Sequence, residues 1–232
     1  MSESITYKKE FFDFINELTA INKSIGFERV KDRIVVRKSD ADQTLPYIIS
    51  APSTYFDIEE TVAFYDYSNF YRYLNTLKNP TISIKNEYIN IESKSTKINY
   101  LLSDEDGIIN GPKKVDFEHG DVRFILSKED IDDIVKTNGL IKGTESHISV
   151  NGTTVTITTG SSGSDNSCEK VFQAERVDGG SDEDFEFTIM SNRFDVLPSK
   201  RDYCVDLSCE SFMRISLIHD ELEFNIYSGD IS

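Results

Sequence analysis

Apolar side chains recur at helical spacing over residues 7–23. Phe11, Phe14, Ile15, Leu18 and Ile21 share one stripe there, and Lys9, Asn16 and Lys23 share another. The period then falls to two. FERV (27–30) and IVVRK (34–38) read as strands joined by a tight turn at Lys31-Asp32-Arg33, and residues 45–51 and 61–66 as two more. A second helix is predicted over 68–78, with Phe70, Leu74 and Leu77 on one side and Arg72, Asn75 and Lys78 on others. TISIK (81–85), YINIES (88–93) and KINYLLS (97–103) follow as strands.

The second half repeats this order. KEDIDDIV (128–135) stands where KEFFDFIN (9–16) stood, and SHISVNGTTVTITT (146–159) answers 27–38 as a hairpin with a turn at Asn151-Gly152. SNFYRYL (68–74) matches SNRFDVL (191–197) at an offset of 191 − 68 = 123, and INYLL (98–102) matches LEFNI (222–226) at 222 − 98 = 124. A spacing held near 120 residues across separated elements implies a tandem duplication, each copy carrying two short helices among many strands. The expected fold is α+β, with two similar domains at 1–106 and 121–232 and a connector at 107–120 containing Gly107, Gly111, Pro112 and Gly120. The loops 160–167 and 178–184 read as polar tips.

A mostly antiparallel sheet with one apolar face must cover that face, and two amphipathic helices per copy suffice. All helices then lie on one side with their polar faces outward. Open sheet edges remain, and edge-to-edge pairing of identical subunits, head to tail, closes a ring where the rotation permits.

Composition narrows the function. The 232 residues are 38% hydrophobic and 11% aromatic, an ordinary globular balance. Lys+Arg number 25 against 41 Asp+Glu, a formal charge of −16, which argues against a surface that grips phosphates everywhere but leaves room for a local basic lining. Cys168, Cys204 and Cys209 form no CxxC pair and read as thiols of a reducing compartment. No signal-peptide run or membrane span is apparent, so a cytoplasmic location is expected, in the host cell if the chain is viral.

The order of elements resembles the DNA polymerase sliding clamps, in particular the T-even phage type and, more remotely, PCNA. The resemblance is densest over 60–104, in VAFYDYSNFYRYLNTLKNPTISIKNEYINIESKSTKINYLLSD, and extends in outline along nearly all of the chain. It implies a DNA clamp fold with antiparallel sheets outside and two short helices per domain lining an inner face. It further implies a homotrimeric ring around duplex DNA that tethers DNA polymerase, engages a clamp loader and acts as a processivity factor in DNA replication. Subunits would join between 97–103 and 170–176 of a neighbour. Asp130, Asp132 and Asp133 depart from what a DNA-facing helix should carry.

Sliding requires loose phosphate contacts without base readout, which Lys and Arg on solvated helix faces supply. The candidates are Lys8, Lys9 and Lys23 on the first helix and Arg72 and Lys78 on the second. Lys128, Lys136 and Lys142 belong to the third, and Arg193, Lys200 and Arg201 to the fourth. Clamps of this type hold partner peptide tails in an apolar pocket beside the connector, which by position draws on Leu45, Ile108, Ile109, Cys209, Phe212, Ile226 and Tyr227. Each of these residues also has an ordinary reading, as a solvated charge or as core.

No catalytic motif appears. His119, His147 and His219 lack metal-ligand spacing, and Glu129-Asp130-Asp132-Asp133 reads as a helix start favoured by the dipole sooner than as a magnesium site. No cofactor, metal or enzymatic activity is expected. Two rival classes remain: an acidic protein-binding adaptor or nucleic-acid mimic without DNA encirclement, supported by the net charge, and a divergent hydrolase or lyase with carboxylates gathered by the fold.

Overall fold

The computed structural model describes residues 4–85, 87–104, 108, 111–117, 119–160, 166–198 and 200–231. The chain divides into two compact units. The first comprises Met1–Gln43, Ile48–Lys113 and Glu221–Glu223, and the second Thr44–Tyr47, Lys114–Asp220 and Phe224–Ser232.

In the first unit, α1 (Lys9–Glu17) runs on into a 3-10 turn at Leu18–Ala20, followed by β1 (Ile25–Val30), β2 (Arg33–Lys38), β3 (Tyr47–Pro52) and β4 (Val62–Phe64). Then come α2 (Tyr67–Thr76), β5 (Thr81–Lys85), β6 (Tyr88–Ser93) and β7 (Thr96–Leu101). The strands lie in the order β3-β2-β1-β4 and, in a separate antiparallel sheet, β5-β6-β7. A bridge from Ile5 to Ile82 flanks β5.

The second unit holds β8 (Val122–Leu126), α3 (Lys128–Ile141), β9 (Glu145–Asn151), β10 (Thr154–Gly160), β11 (Ser167–Gln173) and β12 (Glu175–Arg176). After these come β13 (Phe185–Met190), α4 (Asn192–Asp195), β14 (Tyr203–Ser208), β15 (Phe212–Leu217) and β16 (Glu223–Gly229). Its orders are β11-β10-β9-β13 and β12-β8-β14-β15-β16. The first sheet therefore repeats the order β3-β2-β1-β4, and β14-β15-β16 repeats β5-β6-β7. The duplication in sequence is a duplication of topology.

Local chemistry sets the helix ends. The Asp66 carboxylate accepts from the Asn69 amide at 3.0 Å and starts α2. Ser127 and Asp130 form a reciprocal capping box on α3, which ends at Lys142 in the left-handed region, φ 52°. The helix expected over 7–23 is shorter. Thr19 Oγ1 donates back to the Asn16 carbonyl at 2.7 Å, and Asn22 Oδ1 accepts from the Ser24 amide at 3.0 Å, side-chain bonds that compete with further helix. In the β9–β10 hairpin the turn is Gly152-Thr153, because Asn151 already pairs with Thr154. Gly152, at φ +57°, is the left-handed first residue of a turn that sits one position later than expected.

Both cores mix rings with aliphatic side chains. In the first the rings cluster: Phe12 meets Phe56 at 5.0 Å, Phe27 at 6.0 Å and Phe70 at 6.1 Å, and Phe64 meets Phe70 at 4.4 Å. The second buries Ile148, Val150, Val155, Ile157, Ile189 and Ile134 from its strands and α3 together with Phe124, Phe187, Phe194 and Tyr203.

Candidate nucleic-acid interface and partner surface

Each unit packs its two helices side by side. In the first, Tyr71 of α2 donates to Asp13 of α1 at 2.6 Å and Ser68 donates to Thr19 at 2.8 Å. In the second, Asn138 of α3 donates to the carbonyl of Ser191, just before α4, at 3.4 Å. The apolar stripes face the strands and the polar faces point away from them.

The candidate cations gather at helix ends more than along helix faces. Only Lys9, Arg72, Lys128 and Lys136 lie on exposed helical positions. Lys8 precedes α1, Lys23 follows its 3-10 extension, Lys78 lies beyond α2 and Lys142 terminates α3. Lys200 and Arg201 fall outside α4, which closes at Asp195 with Pro198 shortly after it. Arg193 corrects the expectation outright. It is 6% exposed, and its Nη2 donates to Thr44 Oγ1 at 2.9 Å, so it serves the interior.

Several exposed cations are engaged. Lys8 sits 3.8 Å from the Tyr55 ring centre and 3.5 Å from Glu221, and the Tyr55 hydroxyl with Glu221 holds its ammonium above the usual lysine range. Lys9 bonds both Asp13 oxygens, at 2.7 and 3.0 Å.

The acidic departure on α3 is partly neutralised. Lys170, reaching from β11, lies 2.8 Å from Asp130 and 3.2 Å from Asp133. Burial pushes the Asp130 carboxyl up, but Lys170 and the Ser127 bonds more than offset this and hold it below the usual range. Sequence reading placed Lys170 only on a pairing strand and missed this role, since the partner lies 37 residues away. Glu129 and Asp132 remain exposed on α3 against Lys128 and Lys136, and Glu10 on α1.

The expected partner pocket separates into parts. Ile108 is buried in the first unit, lining a cavity of about 300 Å³ with Val35, Arg37 and Ala63. Ile109 lies outside the described residues. Leu45 and Ile226 are buried and belong to the interior of the second unit. Phe212 and Tyr227 share a neighbour: the Phe117 ring lies tilted against them at 5.9 and 6.3 Å, and Cys209 is exposed. Phe117 was not among the candidates, although an aromatic in a polar connector was a visible signal.

On the same sheet face runs a row that sequence reading also missed. Cross-strand partners Glu175, Arg123, Asp206, Arg214 and Tyr227 stand in line across β12, β8, β14, β15 and β16. Asp206, almost fully buried, accepts from Arg123 Nε at 2.7 Å and from Arg214 Nε and Nη2 at 3.1 and 2.7 Å. The Arg214 guanidinium lies 4.7 Å over the Phe117 ring.

The strand expected over 170–176 divides at residue 174: β11 ends at Gln173, and Glu175–Arg176 pair with β8 in the other sheet. Among the described residues β7 pairs only with β6, and β11 only with β10. Both therefore carry a long open edge. Leu101 on β7 is 57% exposed and Val171 on β11 is 53% exposed.

No protein-family model matches the chain, and no curated protein matches it in sequence. Solved structures do. Proliferating Cellular Nuclear Antigen from Entamoeba histolytica has a TM-score of 0.78 at 14% identity, covering 100% of both chains. The A. fulgidus PCNA bound to the C-terminal region of FEN-1 gives 0.76 at 12%, covering 100% of this chain and 99% of that one. PCNA from Thermococcus kodakaraensis gives 0.76 at 13%, covering 99% and 100%. The likeness is one of fold. The chain has the PCNA-type clamp fold, α+β with antiparallel sheets and two short helices per copy. Among the described residues no helix is long and apolar enough to cross a membrane.

Proposed function

We propose that this chain is a DNA sliding clamp, a non-enzymatic processivity factor whose copies form a homotrimeric ring around duplex DNA. In this reading the domains are 1–106 and 121–232, joined by the connector 107–120, and the ring works in the cytoplasm. It tethers DNA polymerase and other replication proteins through short peptide tails and is placed on DNA by a loader. The T-even phage type is the subgroup the sequence resembles. The carrying observation is that the clamp fold extends over the whole chain, with both copies of the repeat intact.

Two features support the reading independently. β7 and β11 offer complementary open edges of similar length, as head-to-tail closure requires. Exposed Lys9, Lys23, Arg72, Lys78, Lys128, Lys136, Lys142 and Lys200 accompany the helices without a fixed constellation for base readout.

The remaining acidity of α1 and α3 favours a second reading, an acidic adaptor that binds a basic protein. One experiment separates them. Light scattering on the purified chain should give a trimer, and the loaded ring should stay on a nicked circular plasmid but run off once the plasmid is cut. A monomer or dimer that is retained on neither plasmid would favour the adaptor.

A further inference from the structure

We infer that the sheet face around Arg123 and Arg214 in the second unit is a carboxylate-reading surface that selects partner peptides carrying an acidic side chain next to an aromatic one. The inference rests on the tethering reading of the function and specifies the chemistry of what is tethered.

The row has an uneven balance. Asp206 spends both oxygens on the two arginines, Oδ1 on Arg123 and Oδ2 on Arg214. Arg214 gives two nitrogens to that carboxylate and lies over Phe117. Arg123 gives only Nε, and its side chain is 40% exposed. Its two terminal amino groups make no hydrogen bond or ion pair to the described residues, and Glu175 acts on the guanidinium only from further off. They form a planar fork whose orientation is already fixed by the Nε anchor. A guanidinium held this way loses little freedom on meeting a carboxylate, and the fork matches it in two parallel bonds.

The neighbourhood defines the rest of the ligand. Phe117 and Phe212 present half-buried rings one pair further along, beside Tyr227, and offer an aromatic side chain an offset or edge-on partner. Ile125, two residues from Arg123 on the same strand face, is 53% exposed and extends the apolar rim. A single carboxylate suits this surface. A polyanion does not, because Glu175 closes the row on its far side and the chain as a whole carries −16.

The test uses the whole protein and needs neither DNA nor a ring, so its failure is distinct from failure of the clamp reading. Fluorescein-labelled, C-terminally amidated Gly-Ser-Phe-Asp-Phe-Ser is titrated by anisotropy beside versions with Asn or Lys in place of Asp. The acidic peptide should bind about tenfold more tightly than the Asn peptide, as expected for one charge-assisted pair at a half-exposed site. R123Q, in which Asp206 keeps Arg214, should bind the two equally, and R123E should prefer the Lys peptide. Equal binding of the acidic and neutral peptides by the unmodified protein would overturn the inference whatever the variants do. So would a preference that survives in R123Q, or displacement of the acidic peptide by a short single-stranded oligonucleotide, which would mark a phosphate site.

Discussion

The backbone amide of Ser103 donates to the carbonyl of Ala63 at 2.9 Å, so the segment leaving β7 lies along β4, the outer strand of its sheet. The second copy does the same: the Ile231 amide donates to the Thr188 carbonyl of β13 at 3.0 Å. Each copy thus uses its own exit to shield the edge of its first sheet, a standard defence against unwanted pairing. No such cover lies along β7 or β11 among the described residues. Among the described residues β4 and β13 are guarded in this way, whereas the long edges of β7 and β11 are open, and that pair is the one the proposed ring would use.

Self-association should therefore depend on the open edges. Leu101→Asp and Val171→Asp, each at an exposed position, should shift the chain from the proposed trimer towards monomer in light scattering. Thermal stability of the monomer should change little, by about 0.5 kcal/mol or less. Unchanged mass in both variants would count against edge pairing.

Asp121 ties three segments together. Its carboxylate accepts from the Ser181 amide at 2.6 Å and the Cys209 amide at 2.7 Å. Burial pushes this carboxyl up, but the amide bonds prevail and hold it below the usual 3.8. A depressed folded value means stability present above the unfolded value and lost as pH falls through the folded one. Asp121→Asn should cost about 1–3 kcal/mol at neutral pH. In urea titrations the gap between the two proteins should narrow below about pH 4.

Lys38 is buried, with Nζ donating to Ser24 Oγ at 3.1 Å, and burial lowers its ammonium to about 8 from 10.5. Between those values the unfolded chain holds the proton and the folded one does not, so stability should rise with pH across that window. Lys38→Met should abolish the rise, and urea midpoints measured from pH 7 to pH 10.5 will show it. A rise that persists in the variant would assign it to another group.

Lys136 and Lys142 belong to α3 and its terminus, where Lys170 already offsets two of the carboxylates. Reversing both to Glu should shorten residence on nicked circular DNA. The slope of log affinity against log salt should become shallower by about 0.9 for each phosphate that is no longer neutralised. Equal residence at every salt concentration would remove these two from the lining.

Much of the architecture was readable because it rests on local rules. The change of period from helix to strand, the glycine turn at 152 and the spacing near 120 all survive folding. What failed was whatever depends on distant partners or on the last turn of a helix. Arg193 looked like a surface cation because the sequence gives no sign of Thr44, its partner 149 residues away. Lys78 looked helical because Leu77 completes the apolar stripe, yet Leu77 is extended and Asn79 takes φ 50° ahead of Pro80. The Arg123–Asp206–Arg214 row was hidden for a related reason. Its members alternate correctly on three strands, but the register that lines them up is set by pairing and not by composition.

The uneven distribution of tyrosines gives the molecule a built-in optical asymmetry. With no tryptophan, its intrinsic emission comes chiefly from tyrosine, and eight of the eleven tyrosines lie in the first unit. Melting followed in the tyrosine band will report chiefly on that half, whereas the peptide-bond signal reports on both. Comparing the two traces on one sample therefore reveals, without any label, whether the halves come apart together or one after the other.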